Sequence, residues 1–257
     1  LGTRLQQTNE RRPGTVSARQ VLTACAGIIA ASNKGHAMEH NWDFYSVFIG
    51  YEGWWFKGLL VTLAYATGTV VGGLIIGVIC GMGLLANRWW LTVPIHIYVE
   101  VFRCTPVLVQ IIWFFFALPI IIGVNLPGWL AAGIGLTLYM GCFATEIFRG
   151  GIISIDKGQW QAARAIGMTY SEMMRHIILP QAMRRMVPPF VNQSVIQFKN
   201  TALLYVVAVP DMMYTGYLVV ADTYRPLEVY SGVAIAYFVI LYPITQWGKR
   251  LEARSDR

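Results

Sequence analysis

Charge is scarce in this 257-residue chain: Asp, Glu, Lys and Arg together make up 13% of it, against roughly 25% in an ordinary soluble domain. Nothing from Gly58 to Ala86, from Cys104 to Thr145 or from Val229 to Gly248 is ionisable at neutral pH. A single soluble core cannot hide that much apolar surface, whereas a bilayer asks a helix for about 20 such residues in a row. No G-x-x-x-x-G-K-[ST] phosphate loop occurs, which excludes an ATPase site of that kind, and no G-x-S-x-G nucleophile turn occurs. There is no CxxC pair. The four cysteines, Cys25, Cys80, Cys104 and Cys142, stand far apart and read as small packing residues, with no disulfide or metal role.

The net charge of +7 comes from basic residues in loops beside apolar runs. It offers no basic face interleaved with aromatics, as nucleic-acid binding would need. Membrane topology accounts for it instead. The expected architecture is an all-α membrane protein with five core spans, near 58–85, 104–123, 128–146, 186–207 and 229–248. Pro119 and the Asn125-Leu126-Pro127-Gly128 turn signal divide the long uncharged stretch in two. Gly73, Gly77 and Gly81 recur at GxxxG spacing and let another helix approach closely, within the chain or across a dimer seam. Asn41 to Lys57 is rich in Trp, Tyr and Phe and reads as an aromatic belt at headgroup depth.

Lys and Arg set the orientation. Segments 86–103, 147–185 and 249–257 carry Arg88, Arg103, Arg149, Lys157, Arg164, Arg175, Arg184, Arg185, Lys249, Arg250, Arg254 and Arg257, whereas the opposite loops offer only Arg225. The 147–185 segment is therefore placed in the cytoplasm. Residues 1–40 form an N-terminal extension. Its polar start holds Arg4, Arg11, Arg12 and Arg19, and its short apolar run, Val21 to Ala31, suits an interfacial helix or part of a sixth crossing. Residues 251–257 form a cytoplasmic tail.

A cytoplasmic loop of nearly 40 residues exceeds what a simple return requires. Gln159 to Ile166 is Ala-rich and helical, Gly167 breaks it, and Ser171 is expected to cap a second short helix with Met173, Met174, Ile177 and Ile178 on its apolar side. Two short helices joined at a glycine make a knob. Inside the spans, Gln110, Gln197, Lys199, Asn200 and Thr201 are polar groups that membrane depth makes costly and that face the protein interior. Lys199 either meets a substrate carboxylate or pairs with Glu146 or a helix end, and Gln110 alternatively ties helices together. Pro188-Pro189 is expected to unwind part of the fourth span. Glu146 and Arg149 read as a structural ion pair or a gate.

Gln161-Ala162-Ala163-Arg164-Ala165-Ile166-Gly167, followed by Ile177-Ile178-Leu179-Pro180, resembles the "EAA…G…I.LP" loop of importer permeases of the ATP-binding-cassette superfamily. Glu100-Val101-Phe102-Arg103-Cys104-Thr105-Pro106-Val107-Leu108-Val109-Gln110 is similar to the "E-x-F-R-x-T-P-x-L-x-Q" segment of its polar-amino-acid (histidine/glutamine-type) members. Glu146-Ile147-Phe148-Arg149-Gly150-Gly151 and Lys199-Asn200-Thr201 also look like that subfamily, and the matches span about residues 41–250, implying one permease domain there.

The resemblance implies a multi-pass subunit of the bacterial inner membrane that moves an amino acid and performs no covalent chemistry. It implies that Gln161, Ala162, Ala163, Gly167, Met168 and Ser171 contact a cytoplasmic ATPase dimer, and that ATP and Mg sit on that dimer. It further implies a second permease, identical or related, and a soluble substrate-binding protein, and it puts Arg103 with Glu146 and Arg149 in the gate or ion-pair set. Two positions depart from the family pattern: Gln161 replaces an acidic residue, and Cys104 a commoner Gly or Asn.

Two rival readings remain. His36-Ala37-Met38-Glu39-His40 fits H-x-x-E-H, an inverted zinc-protease pattern, yet no third ligand or surrounding fold accompanies it. An ion-coupled carrier or channel would also be multispan and basic inside, but it has no need of a glycine-hinged knob, and no internal repeat is present.

Overall fold

A computed structural model describes residues 41–86 and 88–255, with side chains to Leu251. After a short helix α1 (Phe44–Phe48), the chain rises into α2 (Glu52–Leu85), 34 residues long. At ~1.5 Å per residue such a helix exceeds the ~30 Å hydrocarbon thickness of a bilayer. Its buried positions are Gly58, Thr62, Ala66, Thr69, Gly73, Gly77 and Gly81. That stripe of small residues, spaced three or four apart, leaves the bulky Val71, Ile75, Ile79 and Met82 exposed.

The stripe receives α5 (Gly128–Ile153). Gly73 abuts Met140, Gly77 abuts Ala144 and Gly81 abuts Phe148. The glycine spacing thus serves packing within the chain. Because the numbers rise together on both helices, α2 and α5 run parallel, so the chain between them must cross back. It does so as a broken pair, α3 (Trp89–Cys104) and α4 (Val107–Ile122), bent by 109°. Thr105 takes an extended conformation before Pro106, whose ring disfavours helix in the preceding residue and supplies no N–H to continue one. Segment 86–103, expected as a cytoplasmic loop, is therefore mostly helix.

Helix α5 leads into α6 (Lys157–Ala165), α7 (Tyr170–Met173) and a π-helical turn (Met174–Ile178). The next helix, α8 (Leu179–Asn200), runs antiparallel to α5: Met186 lies against Gly151, and Gln197 reaches Leu136. Pro188 and Pro189 do not unwind it, since both stand inside a continuous α-helix. Beyond Asn200 the helix tightens into a 3₁₀ segment, Thr201–Val207, that ends at Ala208 with φ +55°. Asp211 then caps α9 (Met212–Thr223) by accepting from the Tyr214 N–H. The last helix, α10 (Pro226–Ser255), returns antiparallel to α8: Gly248 meets Val191, and Leu241 packs with Val195 and Phe198.

Among the described residues, three helices are individually long and apolar enough to cross a membrane, Glu52–Leu85, Gly128–Ile153 and Pro226–Leu251. Two bent pairs, α3 with α4 and the Tyr170–Val207 run with α9, bring the crossings among the described residues up to five, counting each pair as one span. The chain is thus an all-α, multi-pass membrane protein. Its helices extend past the expected spans because uncharged length marks the hydrocarbon layer, whereas α2 starts at Glu52 and α10 at Pro226, in the polar flanks. Asp43–Arg257 forms one compact unit. Residues 1–40, with the Val21–Ala31 run and His36-Ala37-Met38-Glu39-His40, lie outside the described residues.

Candidate functional site

The knob between α5 and α8 is built outward from its own apolar core. Phe148 and Ile152 of α5, Ile155, Ala163 of α6, Met173 of α7, Ile178, and Ala182 and Met186 of α8 form one buried cluster, flanked by Leu85 of α2. The expected 147–185 loop is therefore shorter: α5 runs to Ile153 and α8 begins at Leu179. Both spanning helices enter the same core, so the knob is fixed rigidly to the membrane bundle. Arg185 also donates to the Ser154 carbonyl oxygen, tying α8 to the end of α5.

Helix α6 starts at Asp156, whose carboxylate accepts from the Gly158 N–H. It stops at Gly167, where φ is +79°. The Met168 N–H donates to the Ala163 carbonyl and the Gly167 N–H to the Arg164 carbonyl, the paired bonds of a Schellman stop, whose left-handed position glycine occupies without steric cost. Met168 then packs on the cluster that buries Ala163. Of the residues assigned to ATPase contact, Gln161, Ala162, Gly167 and Ser171 are exposed, whereas Ala163 is 1% exposed and supports the knob from within. Two exposed apolar side chains escaped the sequence reading: Ile166, 75% exposed, and Tyr170, whose ring stacks near Trp160. An apolar side chain immediately before the glycine hinge was the available signal.

Ser171 is not the cap of α7. Thr169 is: its hydroxyl accepts from the Glu172 N–H, while Glu172 accepts from the Thr169 N–H at 2.9 Å and the Thr169 hydroxyl at 2.7 Å. Those bonds, the hydroxyl's foremost, hold the Glu172 carboxyl below the usual glutamate range. A lowered folded-state value means that the cap's contribution is complete above the unfolded pKa of about 4.3 and is lost as pH falls through the folded value. Thr169→Ala is expected to speed hydrogen exchange of the Glu172 and Met173 amides roughly five- to tenfold, the usual size of a lost N-cap. Ser171→Ala leaves that exchange unchanged.

The intramembrane polar residues divide by environment. Gln110 is buried and its amide nitrogen donates to the carbonyls of Phe102 and Thr105, both at 2.8 Å. It therefore clasps the α3–α4 break, where the end of α3 has no further helix to satisfy its carbonyls. Gln197 is fully buried and donates to Thr69 Oγ1 at 3.1 Å and to the Leu136 carbonyl at 2.9 Å, joining α2, α5 and α8. Thr201 is buried and returns its hydroxyl to Phe198. Lys199 is exposed and lines a cavity of about 770 Å³ beside α10. Asn200 presents a buried amide nitrogen with no hydrogen-bond partner among the described residues.

Glu146 is paired within the expected set of Arg103, Glu146 and Arg149. Its partner is Arg103, at 2.8 Å, and Arg103 also grips Glu100 at 3.0 Å. Arg149, three residues further along α5, makes no ion pair with Glu146, and Arg103 reaches Glu146 from α3.

The chain matches the description "Binding-protein-dependent transport system inner membrane component" over residues 73–257. It belongs to that family. Among its relatives is the glutamine transport system permease protein GlnP of Escherichia coli K12, 34% identical over 199 residues, 77% of this chain and 91% of the relative. The arginine transport system permease protein ArtQ of Bacillus subtilis is 33% identical over 201 residues, 77% of this chain and 90% of that one. A solved chain from an amino acid ABC transporter crystallised with histidines superposes with a TM-score of 0.78 at 29% identity, covering 84% of this chain and 100% of its own. The permease is thus a transport component.

Proposed function

We propose that this permease works in a bacterial inner membrane as the translocating subunit of an ATP-driven importer of a polar amino acid. The observation that carries the reading is the knob: a glycine-stopped pair of short helices whose core is continuous with the ends of two spans. A body so mounted can transmit force without deforming, because a packed core is not compressible. Through exposed Gln161, Ala162, Ile166, Gly167, Tyr170 and Ser171 it seats in a groove of a cytoplasmic ATPase, with Ala163 and Met168 bracing it from behind. ATP and Mg are held by that ATPase, one per permease of a pair. Closure of the two ATPases displaces both knobs and, with them, α5 and α8.

Residues 41–250 act as the permease domain. Lys199, with Asn200 beside it, lies on the substrate path, since an exposed ammonium at membrane depth requires water or protein rather than lipid against it. Gln110, Gln197 and Thr201 hold the helices that shape the path. Arg103, Glu146 and Glu100 form a clasp near the knob end of α5 that restrains the α3–α4 break, and Arg149 follows it on α5. A soluble binding protein delivers the amino acid at the opposite face.

The decisive experiment is ATPase activity of the purified permease–ATPase complex in lipid, with and without amino-acid-loaded binding protein. Loaded binding protein is expected to stimulate hydrolysis several-fold. A permease that copurifies with no ATPase and transports unaided overturns the importer reading in favour of an ion-coupled carrier.

A further inference from the structure

An apolar groove of about 450 Å³ runs along α10, on a different face from the cavity that Lys199 lines. Phe44 and Phe48 of α1 and Leu59 of α2 form its walls, and Gly232, Ala236 and Ile240 of α10 its floor. No polar side chain lines it. A Cβ at Gly232 would run into the Phe48 ring, so that ring rests on bare α10 backbone and closes the groove at the Gly232 end. From Gly232 to Ile240 the helix rises about 12 Å, close to half of the ~30 Å hydrocarbon layer. The groove is therefore about one leaflet deep. It lies in the leaflet away from the knob, because α10 meets the knob end of α8 only at Gly248.

One turn before Gly232 the surroundings become ionic. Glu228 is fully buried and accepts from the Asp43 N–H and from Arg225, and a second Arg225 nitrogen stands 3.9 Å from the Asp43 carboxylate. The Arg225 and Asp43 side chains remain 34% and 37% exposed, so both can be reached from outside. Glu52 stands about two turns above Leu59 on the same stripe of α2, whereas Lys57 lies about 200° round that helix from Leu59. The mouth of the groove thus carries three carboxylates and one guanidinium. It attracts an ammonium to the carboxylates and leaves spare guanidinium N–H groups for a phosphate. A purely anionic head group meets net repulsion. Below the mouth, a groove at membrane depth with no polar lining gives water no partners and fills with hydrocarbon.

We propose that this groove binds one phospholipid with a zwitterionic, amine-bearing head group, its acyl chain between α1 and α10 and its head group on Asp43, Glu52 and Arg225. The chain fills the space beneath Phe48 that no side chain fills. Helix α1 has only five residues, too few to be stable through its own hydrogen bonds, so what Phe44 and Phe48 touch holds it in place. The lipid then joins α1 to α10. The inference concerns the bundle and the bilayer alone and does not depend on the importer reading.

The test is native mass spectrometry of the purified permease, in the assembly in which it extracts, after incubation with equal amounts of phosphatidylethanolamine and phosphatidylglycerol. One retained lipid per permease is expected, at least fivefold enriched in phosphatidylethanolamine. Ala236→Trp fills the groove and is expected to cut retained lipid at least fivefold, whereas Ile120→Trp, at a position 83% exposed on α4, leaves it unchanged. Asp43→Asn combined with Glu52→Gln is expected to keep the lipid and lose the head-group preference. No retained lipid, a preference for phosphatidylglycerol or none at all, or undiminished lipid in Ala236→Trp overturns the proposal. Photoreactive p-benzoylphenylalanine in place of Ile235, which lines the groove, identifies the occupant in native membranes. A phospholipid adduct supports the proposal, and a cross-link to a second copy or to residues 1–40 of the chain overturns it. Where Ala236→Trp fails to fold, the cross-link decides alone.

Discussion

Gly77→Leu is expected to abolish recovery of folded permease, whereas Gly68→Ala, about two and a half turns earlier on the same helix, leaves it unchanged or slightly raised. A Cβ at position 77 would stand 2.3 Å from the Ala144 Cβ and 2.7 Å from the Ala144 carbonyl carbon. The second of these is backbone of α5 and cannot swing aside, so the helices must separate. Extra methylenes forced into a packed interior typically cost about 1–3 kcal/mol where side chains can adjust; here the closest obstacle includes main chain, and the effect falls at or above that range. Separation at this level also pulls apart Gly73 from Met140 and Gly81 from Phe148, since all three pairs lie along one seam. At Gly68 a Cβ meets nothing within 4 Å, and alanine favours a helix over glycine by about 0.5–1 kcal/mol. Monodisperse yield in size-exclusion chromatography of detergent extracts separates the two outcomes. Equal yields would mean that α2 and α5 are not held by this seam.

The second large effect is expected at Gly167. Its φ of +79° is a conformation that a β-branched side chain resists, though nothing stands within 4 Å to clash with a new Cβ. Gly167→Val should therefore leave the membrane bundle folded but break the stop of α6, costing the two carbonyl bonds from Gly167 and Met168 and turning Ile166 away from its present position. Stimulation of ATPase by loaded binding protein is expected to fall at least tenfold while the permease remains monodisperse. Gly167→Asn provides the contrast, because asparagine tolerates the left-handed region, and it should keep most of the stimulation. If asparagine is as damaging as valine, the loss comes from bulk projecting into the partner's groove and not from the backbone. If valine is harmless, the knob is not the coupling element.

Membrane residence, the number of crossings and the existence of the knob were legible because each rests on local properties. Uncharged length marks a crossing, the Lys and Arg imbalance predicts sides, and Gly167 between two helical patterns marks the break. The glycine spacing on α2 was likewise readable as a close-approach face, although its partner, α5, was not. The errors cluster where an outcome depends on a contact far away in sequence. Pro188 and Pro189 read as helix breakers, yet α8 continues through them, held between α5 and α10. Thr169 and Ser171 were equally eligible caps by type, and the choice fell to Thr169 because Glu172 stands at the third helical position after it and reaches back. Arg103, Glu146 and Arg149 were grouped as one ion-pair or gate set, but which arginine meets Glu146 rested on a contact with Arg103, 43 residues away.

Composition and spacing, then, settle what one segment does alone: how long it stays apolar, where its backbone must bend, which of its residues can accept a close neighbour. They do so because solvation cost and backbone sterics act on each residue wherever the rest of the chain lies. The 109° break in the second crossing, the inward turn of Ala163, the clasp roles of Gln110 and Gln197 and the position of Lys199 at the cavity beside α10 required the packed bundle. Each depends on which helix stands beside which, and that is decided by the fit of whole surfaces and the satisfaction of buried polar groups across elements far apart in the chain.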